Sequence, residues 1–139
     1  MGSVKVVEAV EASADRVWAL LRDFGGIARF ARGIESCEVE GQGVGAVRTL
    51  GMAGGLRLQE RLEAFDDPGR SLSYAIIGAN PLPFDRYFST VKVVEESAGR
   101  CSVEWSGRYD AKGPEADVAR MVEGIYRGGI KGIQKALGA

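Results

Sequence analysis

The feature that most constrains the fold is a run of short alternating segments between Ile34 and Tyr109. Apolar and polar residues alternate within each segment, as in strands with one buried face, and glycine- or proline-containing turns separate the segments. The pattern predicts strands over 34–40, 46–51, 56–65, 70–78, 84–94 and 100–109. Strands joined by such short turns are antiparallel neighbours, so this part of the chain is predicted to be a meander.

Before the meander, the sequence predicts one strand and two short helices. Val4–Val10 is rich in valine and predicts the first strand. Ser13 favours a helix start, and the helix should run through Trp18 and Leu21. A second short helical turn is predicted over Ile27–Ala31.

After the meander, the sequence predicts one long amphipathic helix. Pro114 suits a helix start, and apolar residues recur at helical spacing over Glu115–Leu137. The predicted fold class is therefore α+β, with a seven-stranded curved antiparallel sheet around a long C-terminal helix and two short helices after strand one.

Composition limits the kind of protein. The chain has 139 residues, 45% of them hydrophobic, which supports one domain over 1–139 whose core needs no disulfide or metal. Its 18 basic and 19 acidic residues are scattered, so binding to nucleic acid or an anionic membrane is not expected. No apolar run would span a bilayer, and the start lacks the apolar region of a signal peptide, so membrane insertion is not expected and the cytoplasm is the expected location.

Strand alternation predicts which side chains face the helix. In 56–65, the apolar residues Leu56, Leu58, Leu62 and Ala64 mark one face, and Glu60 shares their register. A buried carboxylate needs a cation or hydrogen-bond donors. Arg48 points inward from the adjacent strand by the same parity, so it is predicted to pair with Glu60. The alternatives are a purely structural ion pair or a register slip that exposes both residues.

The other inward-facing residues would extend a pocket that combines apolar walls with a few polar groups. Aromatic residues on a sheet are most often plain core, which is the alternative for each of them, and the glycines of the helix could serve close packing instead of leaving room. The predicted ligand-binding residues are Arg48, Leu50, Leu58, Glu60, Tyr74, Ile76, Tyr87, Ser89, Trp105, Tyr109, Met121, Ile125 and Gly129.

The order of elements and several phrases resemble the helix-grip superfamily, which includes START domains, Bet v 1-like proteins, polyketide cyclase/dehydrase-like proteins and abscisic acid receptors. The resemblance covers nearly the whole chain. It is carried by the phrases Val17-Trp18-Ala19-Leu20-Leu21, Gly43-Val44-Gly45-Ala46-Val47-Arg48, Glu60-Arg61-Leu62-Glu63, Arg70-Ser71-Leu72-Ser73-Tyr74 and Trp105 to Asp110.

The resemblance implies a deep cavity between sheet and terminal helix, and functions that range from lipid carriage to hormone sensing and ring cyclisation. It also implies that the loops at 51–55 and 80–84 form the cavity entrance, with the glycine-rich first loop expected to move more than the proline-stiffened second. The lysine that holds the hormone's carboxylate in the receptors falls on Ala31, so recognition of abscisic acid is not expected.

Catalytic and metal-binding motifs are scarce. The chain contains no histidine, which removes the commonest general base and metal ligand. Cys37 and Cys101 are far apart in the sequence and are expected to be buried free thiols. No metal or other cofactor is predicted. Two functions remain: a carrier or sensor of a lipid-like or aromatic molecule, with any protein partner unknown, and a cyclase or aromatase that uses Glu60 as acid or base.

Overall fold

A computed structural model describes the whole chain, residues 1–139. The order of elements matches the sequence prediction, with short 3-10 segments at Phe24–Arg29 and Ala53–Gly55. The strands are β1 (Gly2–Val10), β2 (Ile34–Glu40), β3 (Val47–Met52), β4 (Arg57–Asp66), β5 (Ser71–Ile77), β6 (Phe84–Ser97) and β7 (Arg100–Ala111), and the helices are α1 (Ala14–Leu21) and α2 (Glu115–Leu137).

The seven strands form one antiparallel sheet in the order β1-β7-β6-β5-β4-β3-β2. The predicted α+β fold, a curved sheet around a long terminal helix, is confirmed. Strands β6 and β7 extend further than predicted, because Ser97 of β6 pairs with Arg100 across a tight turn and Ala111 at the end of β7 pairs with Phe84. The first strand, β1, pairs with the last strand, β7, so β1 and β2 are the two edge strands of the sheet.

The helix α2 has 23 residues and well-defined ends. Glu115 and Asp117 lie in its first turn, where negative charge favours the helix dipole. Gly138 ends the helix with a left-handed backbone, φ 67°, which glycine adopts without strain. Its buried face contacts β1, β7 and α1 and consists of Val118, Val122, Tyr126, Gly129, Ile130, Gly132 and Ile133.

The first helix begins as predicted at Ser13, whose side chain accepts a hydrogen bond from the Arg16 amide at 3.2 Å. The second helical turn begins earlier than predicted, at Phe24 instead of Ile27. The chain turns already at Asp23, because the Gly26 amide donates to the Asp23 carbonyl at 2.9 Å. This 3-10 segment, Phe24–Arg29, packs beside β2 and helps to close one end of the concave face.

The predicted alternation of buried and exposed side chains in β4 is found only in the middle of the strand. Leu58, Glu60 and Leu62 are buried, as expected. Leu56 is 48% exposed, because the strand begins only after it. Ala64 is also exposed, because a bulge between Leu62 and Ala64 shifts the register. The prediction that Leu56 and Ala64 face inward is therefore wrong.

Candidate functional site

A cavity of about 570 Å³ lies between α2 and the concave face of the sheet. Its volume is within the range usual for small-molecule sites. Fourteen of its 20 lining residues are hydrophobic. Of the residues predicted to bind a ligand, those in the lining are Leu50, Leu58, Glu60, Tyr74, Ile76, Tyr87, Trp105, Met121, Ile125 and Gly129. Met121 and Ile125 are each 44% exposed and mark the mouth of the cavity.

Arg48, Ser89 and Tyr109 do not line the cavity, so the prediction that these three residues belong to its lining is wrong. Ser89 is fully buried and its hydroxyl donates to the Ser106 carbonyl at 3.0 Å. Tyr109 packs its ring against Phe84, with centroids 5.6 Å apart. Strand parity places these side chains on the concave face, but the cavity occupies only part of that face.

Arg48 and Glu60 form the predicted buried ion pair. They are directly opposite each other on β3 and β4. Arg48 Nε donates to Glu60 Oε1 at 2.8 Å, and its terminal nitrogen Nη2 lies 2.7 Å from the same oxygen. The two side chains are only 5% and 8% exposed. The pairing predicted from the sequence is therefore confirmed, although only Glu60 reaches the cavity.

The remaining contacts of Arg48 join the sheet to the 3-10 segment. Its Nη1 donates to the Phe24 carbonyl at 3.1 Å. The guanidinium carbon lies 4.0 Å from the centroid of the Phe24 ring and 4.8 Å from that of Tyr74. Cations over aromatic faces are stabilised when water is excluded. Each nitrogen of the Arg48 guanidinium thus has a partner in the protein, and Arg48 is not among the residues that line the cavity.

Tyrosine hydroxyls provide the other polar groups of the site. Tyr87 and Tyr126 share a hydrogen bond of 2.6 Å between their hydroxyls, and Trp105 Nε1 donates to the Tyr74 hydroxyl at 3.1 Å. Burial raises the pKa of Tyr74 and of Tyr87 above that of a free phenol. Both phenols are therefore neutral at physiological pH.

Three comparisons with known proteins agree with this architecture. Residues 1–138 match the family described as polyketide cyclase / dehydrase and lipid transport. The chain belongs to this family. MLP-like protein 423 of Arabidopsis thaliana is 27% identical over 98% of this chain and 94% of its own length. Abscisic acid receptor PYL6 of the same plant is 32% identical over 66% of this chain and 45% of the receptor.

A solved structure of a Bacillus thuringiensis protein is similar as well. It superposes with a TM-score of 0.89 at 31% identity, over 97% of this chain and 98% of the other. The predicted membership of the helix-grip superfamily, with similarity to abscisic acid receptors, is confirmed.

The two predicted entrance loops of this polyketide cyclase/dehydrase family member both reach the cavity, through Met52 and through Leu82. The loop at 80–84 is braced by Asn80, whose side chain accepts from the Leu82 amide at 3.0 Å and donates to the Phe84 carbonyl at 2.5 Å. The loop at 51–55 has two glycines with positive φ, and it is closed by a backbone hydrogen bond from the Met52 amide to the Leu56 carbonyl at 2.8 Å. The greater mobility of this first loop stays a prediction.

Several lining residues were missed by the sequence analysis. Gly124 and Gly128 on α2 were not predicted, although they belong to the same glycine-containing helix face as Gly129. Tyr126 does not line the cavity, but its hydroxyl bonds that of the lining residue Tyr87; it lies four residues after Val122, so the helical spacing of apolar residues could have identified it. The other missed lining residues are Ile27, Ala31, Arg32, Gly33, Ile34, Met52, Leu82 and Phe84, most of which lie on loops or 3-10 turns where no periodicity signals burial.

The structure contains no group of three or more His, Cys, Asp or Glu side chains that could hold a metal ion. Both cysteines are free: Cys101 is buried, as expected, whereas Cys37 is only partly buried. None of the helices combines the length and the apolar character needed to cross a bilayer.

Proposed function

We propose that the protein binds one small, mainly apolar molecule in the cavity between α2 and the sheet, as a carrier or sensor. The observation that carries the proposal is the cavity itself, about 570 Å³ and lined mostly by hydrophobic side chains. Close-packed cores do not leave a void of this size. The family description includes lipid transport, and one relative is named as an abscisic acid receptor, which supports a ligand-binding role.

The proposal assigns ligand contact to the predicted residues that line the cavity, with Glu60 and Tyr87 as its polar contacts. It has no role for a metal or cofactor. It assigns the protein to the cytoplasm, where free thiols such as Cys37 and Cys101 stay reduced.

Native mass spectrometry of gently purified protein tests the proposal directly. We expect a co-purified species, or one added equivalent of an apolar fluorescent probe, bound with micromolar affinity. Gly128→Phe should abolish binding, because a Cβ at Gly128 meets no atom within 4 Å and the side chain would fill the cavity. Ala136→Phe is the matched control on an exposed position of the same helix.

Probe binding to Gly128→Phe with wild-type affinity would refute a site in this cavity. Gly129→Phe is a less informative cavity-filling substitution, because a Cβ at Gly129 would already lie 2.8 Å from the Trp105 ring. Loss of binding by that variant could therefore report a displaced helix instead of a filled cavity.

A cyclase-type reaction is the second candidate function, and one observation favours it. Glu60 is the only carboxylate in the lining, so it is the group that could accept a proton from a bound substrate. The neutral Tyr87 hydroxyl could donate to a developing enolate. Glu60→Gln would then lose turnover of a polyketide-like substrate and keep binding, whereas a carrier shows no turnover with either protein.

A further inference from the structure

The carboxylate of Glu60 uses its two oxygens differently. Both close contacts from Arg48 go to Oε1, at 2.8 and 2.7 Å. Oε2 takes part in none of the hydrogen bonds of the protein. The only side-chain oxygen that is sealed in the interior without a partner is Glu8 Oε2. Oε2 of Glu60 is therefore not sealed, and the space it faces is the cavity that Glu60 lines.

Arg48 is not among the residues that line the cavity, so a ligand bound there does not contact its guanidinium directly. Its nitrogens are directed at Glu60 Oε1 and at the Phe24 carbonyl. The rings of Phe24 and Tyr74 lie within 4.0 and 4.8 Å of the guanidinium carbon. A ligand in the cavity therefore meets an acceptor that carries negative charge, and it does not meet the cation that balances this charge.

The other charged residue of the lining lies at the mouth. Arg32 is exposed and forms none of the ion pairs of the structure. An anionic group could approach Arg32 there. The only cation paired with Glu60 is Arg48, which does not line the cavity, so a second carboxylate there would face Oε2 without a cation of its own and would be repelled.

Building on the proposed function, we infer that the natural ligand presents a hydrogen-bond donor, a hydroxyl or N–H group, to Glu60 Oε2, and that a carboxylate is rejected at this position. A donor at Oε2 would complete the hydrogen bonding of a carboxylate in a water-poor site, where such charge-assisted bonds are strong. The ligand class is therefore an apolar alcohol, phenol, amide or amine, with the donor innermost.

Three naphthalene probes test the ligand class with one ring system: 2-naphthol, 2-methoxynaphthalene and 2-naphthoate. At neutral pH the first offers a neutral donor, the second has the donor capped, and the third is an anion. Isothermal titration or fluorescence gives the three dissociation constants. We expect 2-naphthol to bind about tenfold more tightly than the ether or better, the size expected for a hydrogen bond to a charged group, and 2-naphthoate to bind no more tightly than the ether.

The wild-type series separates two kinds of failure. If the ether or the naphthoate binds as tightly as 2-naphthol, the inferred ligand class is overturned while the apolar site stands. If none of the three probes binds, the proposed function fails and this inference fails with it.

Variants locate the effect at Glu60. Glu60→Gln should reduce the preference for 2-naphthol over the ether to about threefold or less. Glu63→Gln is the matched control, since it removes a carboxylate of the same strand that pairs with Arg61 outside the cavity, and it should keep the wild-type preference.

A second variant covers the case in which Glu60→Gln does not fold. Arg48→Met combined with Glu60→Leu removes both charges together and should still bind the ether, with no advantage for 2-naphthol. An undiminished preference in either Glu60 variant would overturn the assignment to Oε2.

Discussion

Replacing Arg48 and Glu60 singly and together measures how strongly this buried pair supports the fold. Both side chains are almost completely buried, at 5% and 8% exposure. Removing one partner of such a pair leaves a charge without compensation in a poorly solvated place, whereas removing both takes the charge away altogether. We therefore expect each single variant to be less stable than the double variant.

The structure lets the two single substitutions be distinguished. Glu60→Leu leaves the Arg48 guanidinium between the rings of Phe24 and Tyr74, beyond the reach of cavity water, and should lower the free energy of unfolding by about 3–5 kcal/mol. Arg48→Met leaves a carboxylate that water in the cavity can solvate, but it also removes the hydrogen bond to the Phe24 carbonyl, so about 2–4 kcal/mol is expected. The double variant keeps only the cost of the hydrogen bond lost at the Phe24 carbonyl, where the Cys37 thiol at 4.0 Å is the remaining donor, about 1–3 kcal/mol.

Urea unfolding followed by circular dichroism gives the three free energies and hence the coupling energy, the two single losses together minus the loss in the double variant, which we expect to be about 5 kcal/mol. The matched control is the pair Arg61–Glu63, whose side chains are 45% and 28% exposed. Its coupling energy should stay within about 0–1 kcal/mol. A coupling energy for Arg48 and Glu60 that matches this control would refute the view that the pair acts as a buried unit.

Three other predictions follow from packing, hydrogen bonding and titration. Gly124→Ala should raise the free energy of unfolding by about 0.5–1 kcal/mol, because alanine favours the helix and a Cβ there meets no other atom. Gly132→Ala should lower the free energy of unfolding, because its Cβ would collide with the Phe30 carbonyl. Thermal melts of the two variants test both signs. Amide hydrogen exchange should be faster in the loop at 51–55 than at Leu82, whose amide donates to Asn80. Burial raises the pKa of all four tyrosines. Their contribution to stability is therefore complete below about pH 10, the pKa of tyrosine in the unfolded chain, and is lost as the pH rises through the pKa values of the folded state. Tyrosinate absorbance that appears well before unfolding in an alkaline titration would contradict this.

The ion pair was predictable because strand alternation links pattern to position. Leu58 and Leu62 fix which face of β4 is buried, and this also fixes the direction of Glu60 between them. The same reasoning on β3 uses Leu50 to orient Arg48. A polar residue in the register of buried neighbours must find a partner, and the adjacent strand supplied one.

The extent of the cavity was not predictable by the same reasoning. Parity says that Ser89 and Tyr109 face inward, and both are indeed buried. It does not say what covers them, because this depends on where α2 and the 3-10 segment cross the concave face. The bulge after Leu62 is a second limit, since one extra residue reverses the alternation without a clear signal in the sequence.

The glycines of α2 show how one sequence feature can have two physical roles. Glycine at these positions could serve either close packing or free space, and the structure contains both. A Cβ at Gly129 would press on the Trp105 ring, and one at Gly132 would collide with the Phe30 carbonyl, so this part of the helix lies directly on its neighbours. At Gly124 and Gly128 a Cβ would meet nothing, and both residues line the cavity. Because a helix is stiff, close contact at 129–132 determines how far the preceding turns stand from the sheet, and small residues in those turns leave the gap open. The cavity thus depends on the close packing of α2 at 129–132 as much as on the small residues Gly124 and Gly128 that line it.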